Sequence, residues 1–351
     1  MARKTAVVAG ALGVIGRHLT AHLASLDDWD VVGLSRRSPE FDSPARYIAV
    51  DLLDRDDCAA KLADLGGATH VFYAALQGAL EADNVAPNIA MLVNLVNTIE
   101  PVAKGLELVT LMQGGKVYGC HLGPYKTPAK ESDPRHMPPD FYYDQEDFLK
   151  NRAAVGGWSY SLIRPDVVCG FAAGNAMNLT TVIAVYAAIS RELGLPLRFP
   201  GSDAAYVKLF EVTDAGLLAK AAVWAASEPA ARNEVFNITN GDFFRWRHMW
   251  PKIAKMFDME VAPPQPISLT DTMADKGPVW DAIVAKHGLV PHAYEDIVQW
   301  GFGDFCFNLD YDLMQDMTKA RLAGFAGALD SEEMFARMFA EFRRDQIIPK
   351  S

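Results

Sequence analysis

Three groups of residues in this chain have the types and spacing that chemistry requires. The first is Gly10-Ala11-Leu12-Gly13-Val14-Ile15-Gly16, a glycine turn that follows the apolar run Thr5 to Ala9. A GxxGxxG turn between a strand and a helix lets backbone approach a pyrophosphate closely, and the helix it opens offers unpaired N–H groups and the positive end of its dipole. The same spacing also describes a tight turn that binds nothing, so its strand-to-helix context is what points to a dinucleotide. The second group is Ser35-Arg36-Arg37, directly after the next apolar run. An acid at this position would bind the ribose diol of NAD, and none is there. Two guanidinium groups and a hydroxyl suit the 2′-phosphate of NADPH, because Arg combines a fork of donors with permanent charge; the alternative is a pair of solvated loop charges. Asp51-Leu52 closes a third apolar run, and Asp51 is either a neighbour of the adenine or a helix cap.

The third group concerns proton handling. Short-chain dehydrogenases place a Tyr and a Lys four residues apart on one helix face, yet none of the 11 tyrosines here has Lys at i+4. Tyr142 is followed at that offset by Glu146, Tyr143 by Asp147 and Tyr160 by Arg164. Either the chain is inactive or its lysine comes from another segment. Lys116, in Leu111-Met112-Gln113-Gly114-Gly115-Lys116-Val117-Tyr118-Gly119, follows the strand expected to end beside a nicotinamide.

That segment, with Pro139-Asp140-Phe141-Tyr142-Tyr143-Asp144-Gln145-Glu146-Asp147, resembles the progesterone 5β-reductase and iridoid synthase-like (PRISE) family of atypical extended short-chain dehydrogenases, which carry GxKxY and FYYxxED segments. Arg164-Pro165, Gly170-Phe171, Met177-Asn178, Phe199-Pro200-Gly201, Asn240-Gly241-Asp242, Trp246, Trp250 and Gly301-Phe302-Gly303-Asp304 extend the resemblance along nearly the whole chain. It implies Lys116 and Tyr142 as the catalytic pair, with Tyr143 the runner-up. It implies cofactor contacts at Gly13, Val14, Ile15, Ser35 to Arg37, Asp51, Leu52, Ala75, Leu76, Gln113, Val168, Ala176 and Met177. Two positions depart from the family: Gln113 stands where Thr is usual, and Ala75-Leu76 replaces Thr-Trp. The implied reaction is 1,4-reduction of an enone or enal by NADPH, with a small apolar substrate. Tyr142 would stabilise the enolate, and Lys116 would lower the phenol's pKa by favouring its charged form. Tyr118 and Phe171 face substrate or only pack. Two other readings stay open: a carbonyl reductase or sugar-nucleotide epimerase, which usually depends on the missing Tyr–Lys spacing, and an NADPH-sensing regulator without chemistry.

The elements that must position these residues alternate. Apolar runs at Thr5–Ala9, Asp30–Leu34, Tyr47–Val50, Thr69–Tyr73, Leu106–Leu111 and Trp158–Ile163 read as strands. Arg17–Leu26, Asn88–Lys104, Tyr142–Ala154, Asn178–Leu193 and Ser331–Phe342 read as helices. The pattern predicts an α/β fold, a Rossmann doubly wound parallel sheet in residues 1–170, with a smaller, mainly substrate-binding lobe in residues 171–351 that returns some segments to the core. The proline-rich stretch 114–140 is a long loop of the kind that serves function. A formal charge of −11 argues against nucleic acid as a partner. The 4 cysteines are far apart and no His lies at metal-ligand spacing, so no metal and no disulfide are expected and the chain reads as cytoplasmic. No apolar run spans a membrane, and a homodimer is compatible with the chain.

Overall fold

The computed structural model describes residues 3–78, 84–175 and 177–350. Seven parallel strands form one sheet: β1 (Lys4–Ala9), β2 (Trp29–Ser35), β3 (Arg46–Ala49), β4 (His70–Tyr73), β5 (Leu108–Met112), β6 (Ser159–Arg164) and β7 (Glu234–Asn237). Their spatial order is β3-β2-β1-β4-β5-β6-β7, the doubly wound arrangement expected from the alternation. Parallel strands need helical crossovers that cover both faces, which is why β4 and β5 are almost continuously apolar. One face carries α1 (Val14–Ala24) and the later helix Ala215–Ser227. The other carries α2 (Arg55–Leu62), α3 (Val85–Val102) and α4 (Phe141–Gly156).

The anticipated elements are present with ends shifted by a few residues, as side-chain pattern alone leaves termini loose. α2 escaped notice because its sequence, RDDCAAKL, has no apolar face. Its start is nonetheless written in Asp54, whose Oδ1 accepts from the N–H groups of Asp56 and Asp57 at 2.9 and 3.0 Å. The cap is therefore Asp54 and not Asp51, whose Oδ1 accepts from Leu53 N–H at 3.0 Å within its own turn. β7 also went unread, because a four-residue edge strand drawn from the second half of the chain has no periodicity of its own.

The second half folds around α5 (Leu179–Glu192), which is buried along most of its length. Phe199, Trp246, Trp250, Trp280 and Phe307 pack around it, each at most 1% exposed. The helix that carries Phe307 also carries Phe302 and Phe305, which border the cavity described below. Among the described residues no helix is long and apolar enough to cross a membrane.

Candidate functional site

The glycine turn is shaped for close approach. Gly10 has φ +79°, and a Cβ there would lie 2.7 Å from the Ala74 carbonyl oxygen. A Cβ on Gly16 would lie 2.1 Å from the Gly10 oxygen, so α1 presses onto the turn only because no side chain intervenes. Gly13 is the N-cap of α1 and supplies no side-chain cap, which leaves the first N–H groups of the helix turned towards the strand ends. An uncapped helix start behind a glycine cradle is the donor set that a pyrophosphate needs. Ser35 ends β2, and Arg36 and Arg37 stand exposed just beyond it. A Cβ on Gly174 would come within 2.9 Å of the Arg37 guanidinium, placing that cation against the Gly174 turn. Leu52 is buried, and its carbonyl accepts from Asn94 Nδ2 at 2.9 Å.

A cavity of about 390 Å³ opens at the carboxyl ends of the central strands. Its wall joins Gly13 to Ile15 with Ala74 to Leu76 after β4, Met112 to Lys116 after β5, and Pro165 to Val168 after β6. Tyr142, Asn175, Met177, Phe302 and Phe305 complete it. Of the anticipated residues, Gly13, Val14, Ile15, Ala75, Leu76, Gln113, Lys116, Tyr142, Val168 and Met177 meet here. Ala176 lies outside the described residues.

Tyr142 and Lys116 reach the cavity from two separate segments. Asp140 caps α4: its Oδ1 accepts from Tyr142 N–H at 2.8 Å, which fixes Tyr142 in the first turn. The hydroxyl rests over the Gly114 backbone, 3.3 Å from where a Cβ would stand, and has no hydrogen-bond partner among the described residues. Lys116 lies on the short helical turn Gly115–Tyr118 immediately after β5. The expectation that Lys116 lowers the Tyr142 phenol is not met. Burial, reinforced by Asp140, Cys120 and Asp166, raises it well above the ordinary value. Tyr142 is therefore a hydrogen-bond donor that stays protonated, and burial in turn lowers Lys116 against the pull of Cys120 and Asp140.

Tyr143 serves a different end. Its hydroxyl donates to the Val117 carbonyl at 2.7 Å and accepts from His136 N–H at 3.0 Å, tying α4 to the Lys116 turn. Glu146, at the position where a lysine would be expected, is committed as well. It takes Arg164 at 3.1 Å, Gln113 Nε2 at 3.2 Å and Lys150 at 2.6 Å. Burial would raise its carboxyl, but the Lys150 hydrogen bond and the Arg164 charge outweigh burial and hold it down to about 2.

The side chains of Gln113, Tyr118 and Phe171 are engaged with other parts of the protein. Gln113 borders the cavity, but its side chain is spent on protein. Nε2 donates to Glu146 and to the Tyr142 carbonyl, and Oε1 accepts from Arg164 Nε at 2.8 Å. Of the two readings for Tyr118 the structure shows packing: it is not part of the cavity wall, and its hydroxyl accepts from Arg164 at 3.1 Å and donates to Asn237 at 2.5 Å. Phe171 packs beside Arg17, His292 and Phe342, away from the cavity wall.

Residues that the sequence did not single out also line the site. Asp166 and His121 do so, as does Cys120, a buried thiol raised well above its usual range by burial and by the nearby Asp166. His121 is pushed down to about 4, first by burial and then by the Lys116 charge. A carboxylate directly after Arg164-Pro165 was a readable sign, since strand ends in such sheets carry the site. Phe302 lies in the Gly301-Phe302-Gly303-Asp304 string, which carried no hint of its place in the wall, and Phe305 had no local sign.

The family model for the PRISE-like Rossmann-fold domain matches residues 50–349. The chain is 36% identical to the (S)-8-oxocitronellyl enol synthase ISY1 of Nepeta cataria, covering 98% of this chain and 93% of that protein. It is 33% identical to the (S)-8-oxocitronellyl enol synthase of Antirrhinum majus, covering 99% and 93%. Among solved structures, UDP-glucose 4-epimerase of Bifidobacterium longum, in complex with NAD⁺ and UDP, superposes with a TM-score of 0.70 at 15% identity, covering 98% of this chain and 99% of that one. UDP-glucose 4-epimerase of Thermotoga maritima gives 0.69 at 18%, covering 97% and 99%. Those structures share the fold alone, whereas the sequence match runs from the Lys116 turn through the Tyr142 helix to the C-terminal lobe, and the chain belongs to the PRISE-like Rossmann-fold family.

Proposed function

We propose that this chain is an NADPH-dependent reductase of activated C=C bonds, acting on small apolar enones or enals. The observation that carries the reading is the meeting of Tyr142 and Lys116 in one largely apolar cavity at the strand ends, while Glu146 occupies the usual lysine position and is locked to Arg164. The relationship to enol synthases supports an oxidoreductase.

Gly10, Gly13 and Gly16 with the open start of α1 would hold the pyrophosphate, and Ser35, Arg36 and Arg37 the 2′-phosphate. Asp51, Leu52, Ala75, Leu76, Gln113, Val168, Ala176 and Met177 would border the remainder. NADPH, when bound, supplies the hydride that the β-carbon of the substrate accepts. Charge then builds on the substrate carbonyl oxygen, and Tyr142 donates its O–H to that oxygen from a position fixed before the reaction begins. A neutral phenol suits that task, because a donor must keep its proton. Lys116 holds the nicotinamide ribose and adds positive charge near the developing enolate. Phe302, Phe305 and Met177 exclude water and accept the apolar body of the substrate.

Oxidation of NADPH should accelerate with 2-cyclohexen-1-one. Reduction of a ketone but of no enone would move the chain to the carbonyl reductases, and turnover of neither would favour a cofactor sensor. Replacing Arg36 and Arg37 together with Ala should weaken NADPH by roughly tenfold to a hundredfold, since charged hydrogen bonds contribute about 1.5–3 kcal/mol. NADH should be nearly unaffected in a fluorescence titration, and equal losses for both cofactors would remove the 2′-phosphate assignment.

A further inference from the structure

Asp166, one residue past the Arg164-Pro165 end of β6, is a buried acid in the cavity wall with no part in the mechanism above. Its Oδ1 accepts from the Val167 N–H at 3.1 Å, and its Oδ2 meets Gln315 Nε2 at 3.5 Å. A Cβ on Gly115 would lie 2.5 Å from Oδ2, just as one on Gly114 would lie 3.3 Å from the Tyr142 hydroxyl. Carboxyl and phenol thus rest against consecutive glycines of a single turn and border the same space. Asp166 forms no ion pair among the described residues.

The titratable groups that face it are shifted by the same burial. Cys120 on the turn after β5, Tyr125 on the long loop and Tyr142 on α4 are all raised by burial. So are Cys306 on the helix Trp300–Phe307 and Tyr311 beyond it. Glu211 is wholly buried near Thr239 and Gln315, and neither of its carboxyl oxygens has a hydrogen-bond partner of good geometry among the described residues. Burial, then the nearby Asp166, raises it well above its ordinary range. Lys116 and His121 border the same cavity; burial lowers both, His121 to about 4. Asp166 itself is raised by burial to about 7, offset only in part by Val167 and Gln315.

We propose that Asp166 works as a neutral carboxyl, and that its ionisation stops turnover by setting a second negative charge beside the enolate oxygen held by Tyr142. Two like charges in one dry site cannot both ionise, so the Asp166 proton is a condition of enolate formation. This rests on the reductase reading. The protein accordingly carries its own upper pH limit in the floor of the cavity. The sign follows from the direction of the shift: the neutral fraction falls as pH rises through about 7, and activity falls with it.

The test is kcat/KM for 2-cyclohexen-1-one across pH, in wild type and Asp166→Asn. Wild type should lose about thirtyfold between about pH 6 and about pH 8.5, whereas Asp166→Asn should show a nearly flat profile across the same interval. A variant that keeps the wild-type decline would overturn the proposal and assign the limb to Lys116. Carbon-13 NMR of aspartate-labelled wild type with NADP⁺ provides a readout independent of turnover and of whether the variant folds. A carboxyl resonance titrating near neutrality, and absent from the variant where that is soluble, supports the assignment. Titration of every aspartate below about pH 5 overturns it. Wild type that reduces no enone at any pH overturns the reductase reading and the turnover limb with it, while the carboxyl resonance still decides the protonation state of Asp166.

Discussion

Tyr142→Phe should lower kcat for enone reduction on the order of a hundredfold, which is the usual effect of removing one preorganised donor from a developing oxyanion. The loss corresponds to about 2.7 kcal/mol of barrier. KM should change little, because the ground-state carbonyl is held less tightly than the enolate. The neighbouring substitution is the control that gives this result its meaning. Tyr143→Phe removes a bond to the Val117 carbonyl and another from His136 N–H, so it should destabilise the fold by about 1–3 kcal/mol. Its kcat should remain within a few-fold of wild type. Stopped-flow hydride transfer and thermal unfolding, run on both variants, separate the two tyrosines; a reversed pattern would make Tyr143 the donor.

Arg164→Ala should destabilise the protein by about 2–4 kcal/mol, because it takes the buried cation from Glu146, leaving Lys150 at the cluster's rim, and removes the donors to Gln113 and Tyr118. Denaturant unfolding measures the loss directly. The pH dependence gives a second readout. Glu146 in the fold lies at about 2, below its ordinary 4.5, so its ionised form stabilises the protein above the ordinary value, and that contribution is lost as pH falls towards about 2. Without Arg164 the carboxyl is less strongly favoured as an anion, and the stability lost on acidification should shrink. A variant as stable as wild type at neutral pH would show that the network tolerates its own interruption. Since Arg164 also fixes Gln113, and Gln113 holds the Tyr142 carbonyl, the loss should extend to the reacting phenol.

What the sequence made legible was local. The strand, glycine turn and helix from Lys4 to Ala24 depend on near neighbours, and every requirement of that unit is visible in Gly10, Gly13 and Gly16. That Lys116 and Tyr142 border one cavity could be anticipated only through family strings, since no spacing rule joins residues from a turn and a distant helix. The choice between Tyr142 and Tyr143 depends on what lies across from each hydroxyl, and Val117 and His136 were brought there only by folding. The use to which Gln113 is put was hidden for a related reason. A polar residue at a strand end looks available to a ligand until Arg164 and Glu146 arrive from β6 and α4 to use its amide. Phe302 and Phe305 enter the wall from the far end of the chain, and Asp166 acquires its character only from burial.

Cys120 carries a consequence of a different kind. Activated alkenes are soft electrophiles that thiolates add to readily, and this wall places a sulfhydryl among the residues such compounds would meet. Thiolate is the reactive species, and burial, the largest influence on this thiol, favours its inert, protonated form. On the reductase reading, the cavity would handle alkylating molecules turn after turn without being consumed by them.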